Sequence, residues 1–103
     1  SAGYDGIDSE GVKIQIKARR VTADNKSRQL GAIRNLDAKD FDQLAAVVFD
    51  ENYDVINAVL IPHEVVVDYA KFRNHVNAHI LHLKGPILSD SRVIDIKKLI
   101  VNE

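Results

Sequence analysis

Cysteine is absent from all 103 residues, which excludes disulfides and thiolate metal sites. That composition fits a cytoplasmic protein, and a cytoplasmic location is the expectation. Methionine is absent too, even at position 1, so the chain reads as a piece of a longer one. No apolar run approaches the roughly 18 residues that a membrane span needs, and no signal peptide is visible. A membrane partner is therefore not expected. There is no glycine-rich phosphate loop, no serine on a nucleophile elbow and no cysteine nucleophile. What remains is ordinary for a globular protein: 46% hydrophobic and 28% charged residues in a length that suits a single domain spanning 1–103.

The net charge of −1 hides an asymmetry. Residues 12–34 carry seven bases (Lys13, Lys17, Arg19, Arg20, Lys26, Arg28 and Arg34) against Asp24 alone, a local charge of +6. Residues 35–70 carry eight acids against Lys39, a charge of −7, and residues 71–103 return to +3. A basic stretch of this kind can track a phosphate backbone whatever the global charge, or it can be a solvated polar face.

Tyr4 to Asp8, then Ser9-Glu10-Gly11, then Val12 to Lys17 predicts a β-hairpin. Val12, Ile14 and Ile16 alternate with Lys13, Gln15 and Lys17, the period of a strand. A three-residue loop closing on Gly11 in the left-handed conformation places Asp5 opposite Gln15 on a shared face. A two-residue loop would instead bring Asp8 to the face of Lys13, Gln15 and Lys17. Register thus decides which aspartate is the chemical one.

Residues 22–40 are polar and weakly periodic. They are read either as a short helix, capped by Asp24 or Ser27 and running to about Ile33, or as a loop. Phe41 to Phe49 and Val55 to Ile61 predict two buried antiparallel strands joined by the acidic turn Asp50–Asp54, with Pro62 ending the second. Glu64 to Arg73 has a helical apolar stripe in Val65, Val66, Tyr69 and Phe72. Ala78 to Leu83 reads as a strand, and Asp95 as the N-cap of a helix from Ile96 to about Val101.

The chemical signal lies in the first hairpin. Phosphodiester hydrolysis needs a hard cation, a positioned water and a positive group beside developing charge. Asp5 offers a charged oxygen, Gln15 a neutral one, and Lys17 an ammonium to hold the water and offset charge in the transition state. Mg2+ (or Mn2+) keeps several waters and takes only one or two protein carboxylates.

The Asp…Gln15-Ile16-Lys17 hairpin resembles the second and third motifs of PD-(D/E)XK nucleases, in the variant whose third motif reads Gln-x-Lys. The stretches Ile16-Lys17-Ala18-Arg19-Arg20, Ser27-Arg28-Gln29-Leu30-Gly31, Phe41-Asp42-Gln43-Leu44 and Phe49-Asp50-Glu51-Asn52-Tyr53, followed by Ile61-Pro62, are similar to restriction-endonuclease-like domains. The likeness covers roughly residues 3–65. It implies an α/β fold with a mixed, mostly antiparallel sheet flanked by helices: a first helix, three antiparallel strands, a crossover helix and a further strand. A helix and a strand would precede Tyr4 on that template. It further implies Mg2+-dependent cleavage of double-stranded DNA by a homodimer, with Asp5, Gln15 and Lys17 catalytic and the metal on Asp5 and Gln15. Gln15 departs from the usual acid and removes one negative charge from the site, which Asp8 or an upstream acid would replace. Without that replacement the domain would bind DNA and not cut it.

Arg19, Arg20, Lys26, Arg28 and Arg34 are the expected phosphate contacts, with Gln29 and Asn35 as weaker candidates for base edges. No aromatic residue interleaves with them, so a single-strand stacking platform is not expected. His75, His79 and His82 would share one face of a helix and could then bind zinc, whereas a strand would separate them. His63 reads as structural or exposed, and Asp50, Glu51 and Asp54 as a solvated turn lacking calcium-loop spacing. A protein-interaction module, suggested by the acidic middle segment, is the remaining alternative.

Overall fold

The computed structural model describes residues 3–101. Its first element is the hairpin that the alternation predicts, β1 (Gly6–Ile7) running antiparallel to β2 (Lys13–Arg20). The Asp8 amide donates to the Val12 carbonyl at 3.0 Å, which leaves Ser9, Glu10 and Gly11 as a three-residue loop. Gly11 has φ +84°, a conformation that costs a residue with a Cβ roughly 1–2 kcal/mol, so glycine belongs there.

Beyond it lie β3 (Gln43–Phe49) and β4 (Val55–Pro62), and much later β7 (Ile94–Asp95). Together they make one five-stranded sheet in the order β1-β2-β3-β4-β7. Only the β2/β3 pair is parallel; the β1/β2, β3/β4 and β4/β7 pairs are antiparallel. The fold is therefore α/β with a mixed, mostly antiparallel sheet. Two helices accompany it, α1 (His63–Tyr69) packed on β3 and β4, and α2 (Lys97–Ile100) packed on β4. A separate two-stranded hairpin joins β5 (Lys71–Arg73) to β6 (Ala78–Ile80). Among the described residues no helix is long and apolar enough to cross a membrane.

The parallel β2/β3 crossover is made without a helix. Of the two readings of residues 22–40, the helix from Asp24 or Ser27 to about Ile33 does not form and the loop does, with a 3-10 turn at Leu36–Ala38. Leu30 and Ile33 have helical spacing, yet their amides donate to the Leu81 and His79 carbonyls, both at 2.9 Å. Pairing with a distant extended segment outweighs a weak local propensity. Leu30, Ile33 and Leu36 are all buried, so the apolar stripe was real and its backbone shape was not.

Other boundaries move for similar reasons. The helix expected over Glu64–Arg73 stops at Tyr69, because Lys71, Phe72 and Arg73 pair with Ile80, His79 and Ala78. The strand expected to Leu83 keeps its regular ladder only to Ile80, and the terminal helix is a single turn, with the Asp95 carboxylate accepting the Lys97 amide at 2.9 Å. One core unites Leu44, Ala46 and Val48 of β3, Val59 and Ile61 of β4, Val65 and Val66 of α1, and Leu81, Leu83 and Ile87 beyond β6.

The tail is tied to α1 through one carboxylate. Asp90 receives Arg92 Nε at 3.0 Å and Nη2 at 2.8 Å, and also the Tyr69 hydroxyl at 2.9 Å. Arg92 reaches Asp68 as well, at 3.1 Å. Hydrogen bonds from Arg92 hold the Asp90 carboxyl well below the usual carboxylate range, and the Asp90 contact pushes the Tyr69 phenol up. Because the folded-state value is depressed, the carboxylate's stabilising contribution is complete above its ordinary value of 3.8 and is lost as pH falls below it. We expect Asp90→Asn to be less stable than wild type at neutral pH, with the gap closing in acid. Urea unfolding midpoints at several pH values check this.

Candidate active site

Strand alternation gives β2 two rows, and the sheet register says which one faces the core. Gln15 lies beside Leu44 and, one strand further, Ile61; Lys17 lies beside Ala46 and Val59; Arg19 lies beside Val48 and Asn57. Leu44, Ala46, Val48 and Ile61 are among the most buried residues of the chain. The polar row of β2 is thus on the core side. Its apolar row is on the other face, where Ile16 is 55% exposed. An amphipathic strand normally buries the opposite row.

Gln15 shows the consequence most sharply. Its side-chain Oε1 is buried and has no hydrogen-bond partner, alone in this respect among the described residues. Leaving such an oxygen unpaired costs about 1–3 kcal/mol. Asp5 brackets this residue: its amide donates to the Ile14 carbonyl at 2.8 Å, and its Oδ2 accepts the Ile16 amide at 2.7 Å. The three-residue loop therefore selects Asp5, and not Asp8, as the neighbour of Gln15 across the hairpin. Asp5 Oδ1 takes no hydrogen bond within the described residues.

Asp8 is occupied elsewhere. Its Oδ1 accepts the Glu10 and Val12 amides at 2.8 and 3.0 Å and so shapes the hairpin loop. Lys17 follows Gln15 on the same face, about 6.6 Å along the strand. Its Nζ donates to the Ala32 carbonyl at 3.1 Å, and Gly31 lies against its side chain. Neither residue was singled out by sequence reasoning, because backbone contacts of this kind leave no residue-type signal. Lys17 has no carboxylate partner among the described residues.

The basic residues are divided by the fold. Arg19 Nε donates to the Ser27 carbonyl at 3.1 Å, and Arg28 Nη1 to Asn57 Oδ1, so both sit over the Arg19–Val48–Asn57 row beside Lys17. Lys26 is exposed on the same connection. Arg20 alternates to the opposite face, where it binds the Glu51 carbonyl and lies 4.8 Å from the centre of the Tyr53 ring. Arg34 binds the Val76 and Asn77 carbonyls at the tip of the β5–β6 hairpin. Each guanidinium keeps donors for a ligand.

The other candidates are structural. His63 meets the Leu36 carbonyl at 2.7 Å and packs edge-on against Phe41. His75 lies in a 3-10 turn, His79 on β6 against Phe72, and His82 beyond it beside Gln29, so the zinc-binding helical face does not form. Asp50 Oδ1 accepts the Asn52 and Asp54 amides, as a turn aspartate does. No group of three or more histidine or acidic side chains suited to a metal ion occurs among the described residues.

A metal here would have to rest on few protein ligands. The Asp5 carboxylate and Gln15 Oε1 are both hard oxygens, and the second is a buried acceptor in want of a positive partner. That donor set fits Mg2+ or Mn2+, which retain water in their remaining positions. No family model matches the chain, and no curated relative matches it.

The orphaned oxygen yields a prediction that does not depend on activity. Gln15→Met, of similar shape and without the polar atom, should unfold about 1 kcal/mol less readily than wild type in chelator. Adding Mg2+ or Mn2+ should then stabilise wild type and leave Gln15→Met unchanged. Denaturant midpoints with and without the ion check both. A wild-type midpoint that ignores divalent ions would remove the metal assignment.

Proposed function

We propose that this chain is a metal-dependent endonuclease domain, restriction-endonuclease-like in fold, that hydrolyses phosphodiester bonds of double-stranded DNA. The observation that carries the reading is the buried, unpartnered Gln15 Oε1 beside Asp5, with an ammonium held only by a carbonyl on the next position of the same row. The parallel β2/β3 crossover after an antiparallel hairpin supports it at the level of topology.

In this reading Asp5 and Gln15 would hold Mg2+ or Mn2+, which would supply a water of lowered pKa and offset charge on the phosphate. Lys17 donates one hydrogen to the Ala32 carbonyl and keeps two, one for the attacking water oxygen and one for a non-bridging phosphate oxygen. The water oxygen forms the new bond to phosphorus while the bond to the leaving sugar oxygen breaks; the water gives up one proton to solvent, and the leaving oxygen takes one up from solvent. Arg19 and Arg28, next to Lys17, hold the flanking phosphates, and Lys26 and Arg34 extend the track. Cutting both strands needs two such sites, so a homodimer is the assembly that goes with this chemistry.

The test is nicking of supercoiled plasmid in Mg2+ or Mn2+. Wild type should nick, chelator should abolish it, and Lys17→Ala or Asp5→Asn should slow it by about 100- to 1,000-fold, as when one electrostatic stabiliser is removed. Salt-dependent DNA binding with no nicking would favour a catalytically silent domain, consistent with glutamine at position 15. Neither binding nor nicking would favour a protein-interaction module.

A further inference from the structure

The β5–β6 hairpin carries charge that the hydrolytic site does not use. Pairing sets Lys71 beside Ile80 and Arg73 beside Ala78 on one face, and His82 continues that row past the end of β6. Lys71, Arg73, His82 and Lys84 line an open cavity of about 300 Å³ over an apolar floor of Ile80 and Ile87. No carboxylate among the described residues lines it. Tyr69 also borders it, but the acid behind that hydroxyl, Asp90, is already held by both arms of the Arg92 guanidinium. The ion pairs among the described residues all involve Arg92, so Lys71, Arg73 and Lys84 carry three positive charges without a counter-ion.

Like charges gathered around one cleft repel each other unless an anion sits among them. Lys71 and Arg73 are spaced about 6.6 Å along a strand, with Lys84 further on, so the array is elongated. That shape suits a polyanion better than a single small phosphate. The cleft also adjoins the basic connection. Gln29 bridges to His82, and Arg34 is bonded to the Val76 and Asn77 carbonyls in the turn between β5 and β6. Residues 29–33 thus run along the β6 segment, and Arg34 brings a further cation to the turn of the small hairpin.

We propose that the cleft between β5, β6 and the following turn is a second phosphate-binding site, which takes the nucleic-acid backbone away from the cleavage centre. This rests on the nuclease reading for its choice of ligand, while its residues are independent of Asp5, Gln15 and Lys17. Lys71, Arg73 and Lys84 are exposed, so replacing all three with alanine leaves the core intact. Binding of a fluorescent DNA duplex would be followed by anisotropy in chelator, over a range of salt concentrations.

The triple variant should bind at least about tenfold more weakly than wild type at moderate salt. Its slope of log affinity against log salt should be shallower by about 3, one for each lost phosphate contact. Plasmid nicking, measured alongside, separates the two ideas. Wild-type nicking with an unchanged affinity and slope in the triple variant would overturn this site alone. A shallower slope in the variant, with no nicking by wild type, would support the site and defeat the hydrolytic reading. Binding of inorganic phosphate or pyrophosphate by wild type, with no duplex binding, would overturn the assignment to nucleic acid.

Discussion

The structure is organised around a polar row placed on the wrong side of a strand. In β2 the residues whose side chains need solvent or a partner, Gln15, Lys17 and Arg19, lie in line with Leu44, Ala46 and Val48 of β3, while Ile16 is left to the open face. Each polar group there needs compensation. Lys17 and Arg19 find it in carbonyls of the crossing connection, at Ala32 and Ser27. Gln15 finds none, and the deficit is concentrated at a single oxygen next to Asp5. A chain selected only for stability would have exchanged the two rows, and such local conflicts are expected where a site is being maintained.

The irregular crossover follows from this arrangement. A helix between β2 and β3 would commit all but its last-turn carbonyls to its own ladder, leaving few to offer Lys17 and Arg19. The extended path of residues 22–34 leaves carbonyls free to accept those cations. It also lets Leu30 and Ile33 anchor the connection by pairing with the β6 segment. The same backbone thus covers the polar row, buries an apolar stripe and carries Arg28 and Arg34 to the surface. The Leu30 and Ile33 amides, which a helix would have paired internally, donate to the Leu81 and His79 carbonyls.

How far this could be read beforehand depended on whether a feature was local. The hairpin was legible from Gly11 and the alternation of Val12 to Lys17, but its register was open between two loop lengths, and the three-residue loop of the structure settles it for Asp5 over Asp8. Strands β3 and β4 were legible as β-branched runs on either side of a turn. The connection was not, because Leu30-x-x-Ile33-x-x-Leu36 has helical spacing and its true partners lie about 50 residues away. The β5–β6 hairpin was hidden for the same reason: Phe72 completes a helical stripe in sequence but stacks on His79 in space. Which row of β2 faces inward could not be known from alternation alone, since both faces of a strand carry the same period.

Charge distribution links these local facts to a ligand. Acidic residues gather in 35–70, yet Asp50 accepts amides of its own turn, Glu51 accepts the Ala23 amide and Asp42 accepts the Lys13 amide. Asp90 and Asp68 are both engaged by Arg92. The acids are largely spent on amides and on one arginine, while most of the lysines and arginines pair with neutral carbonyls or with nothing. Lys26 and Arg28 share their cleft with Asp50 and Glu51, whereas Lys71, Arg73 and Lys84 line theirs with no acid among the described residues. Neutral partners orient a guanidinium without discharging it, and a positive field kept in that way is available to a polyanion.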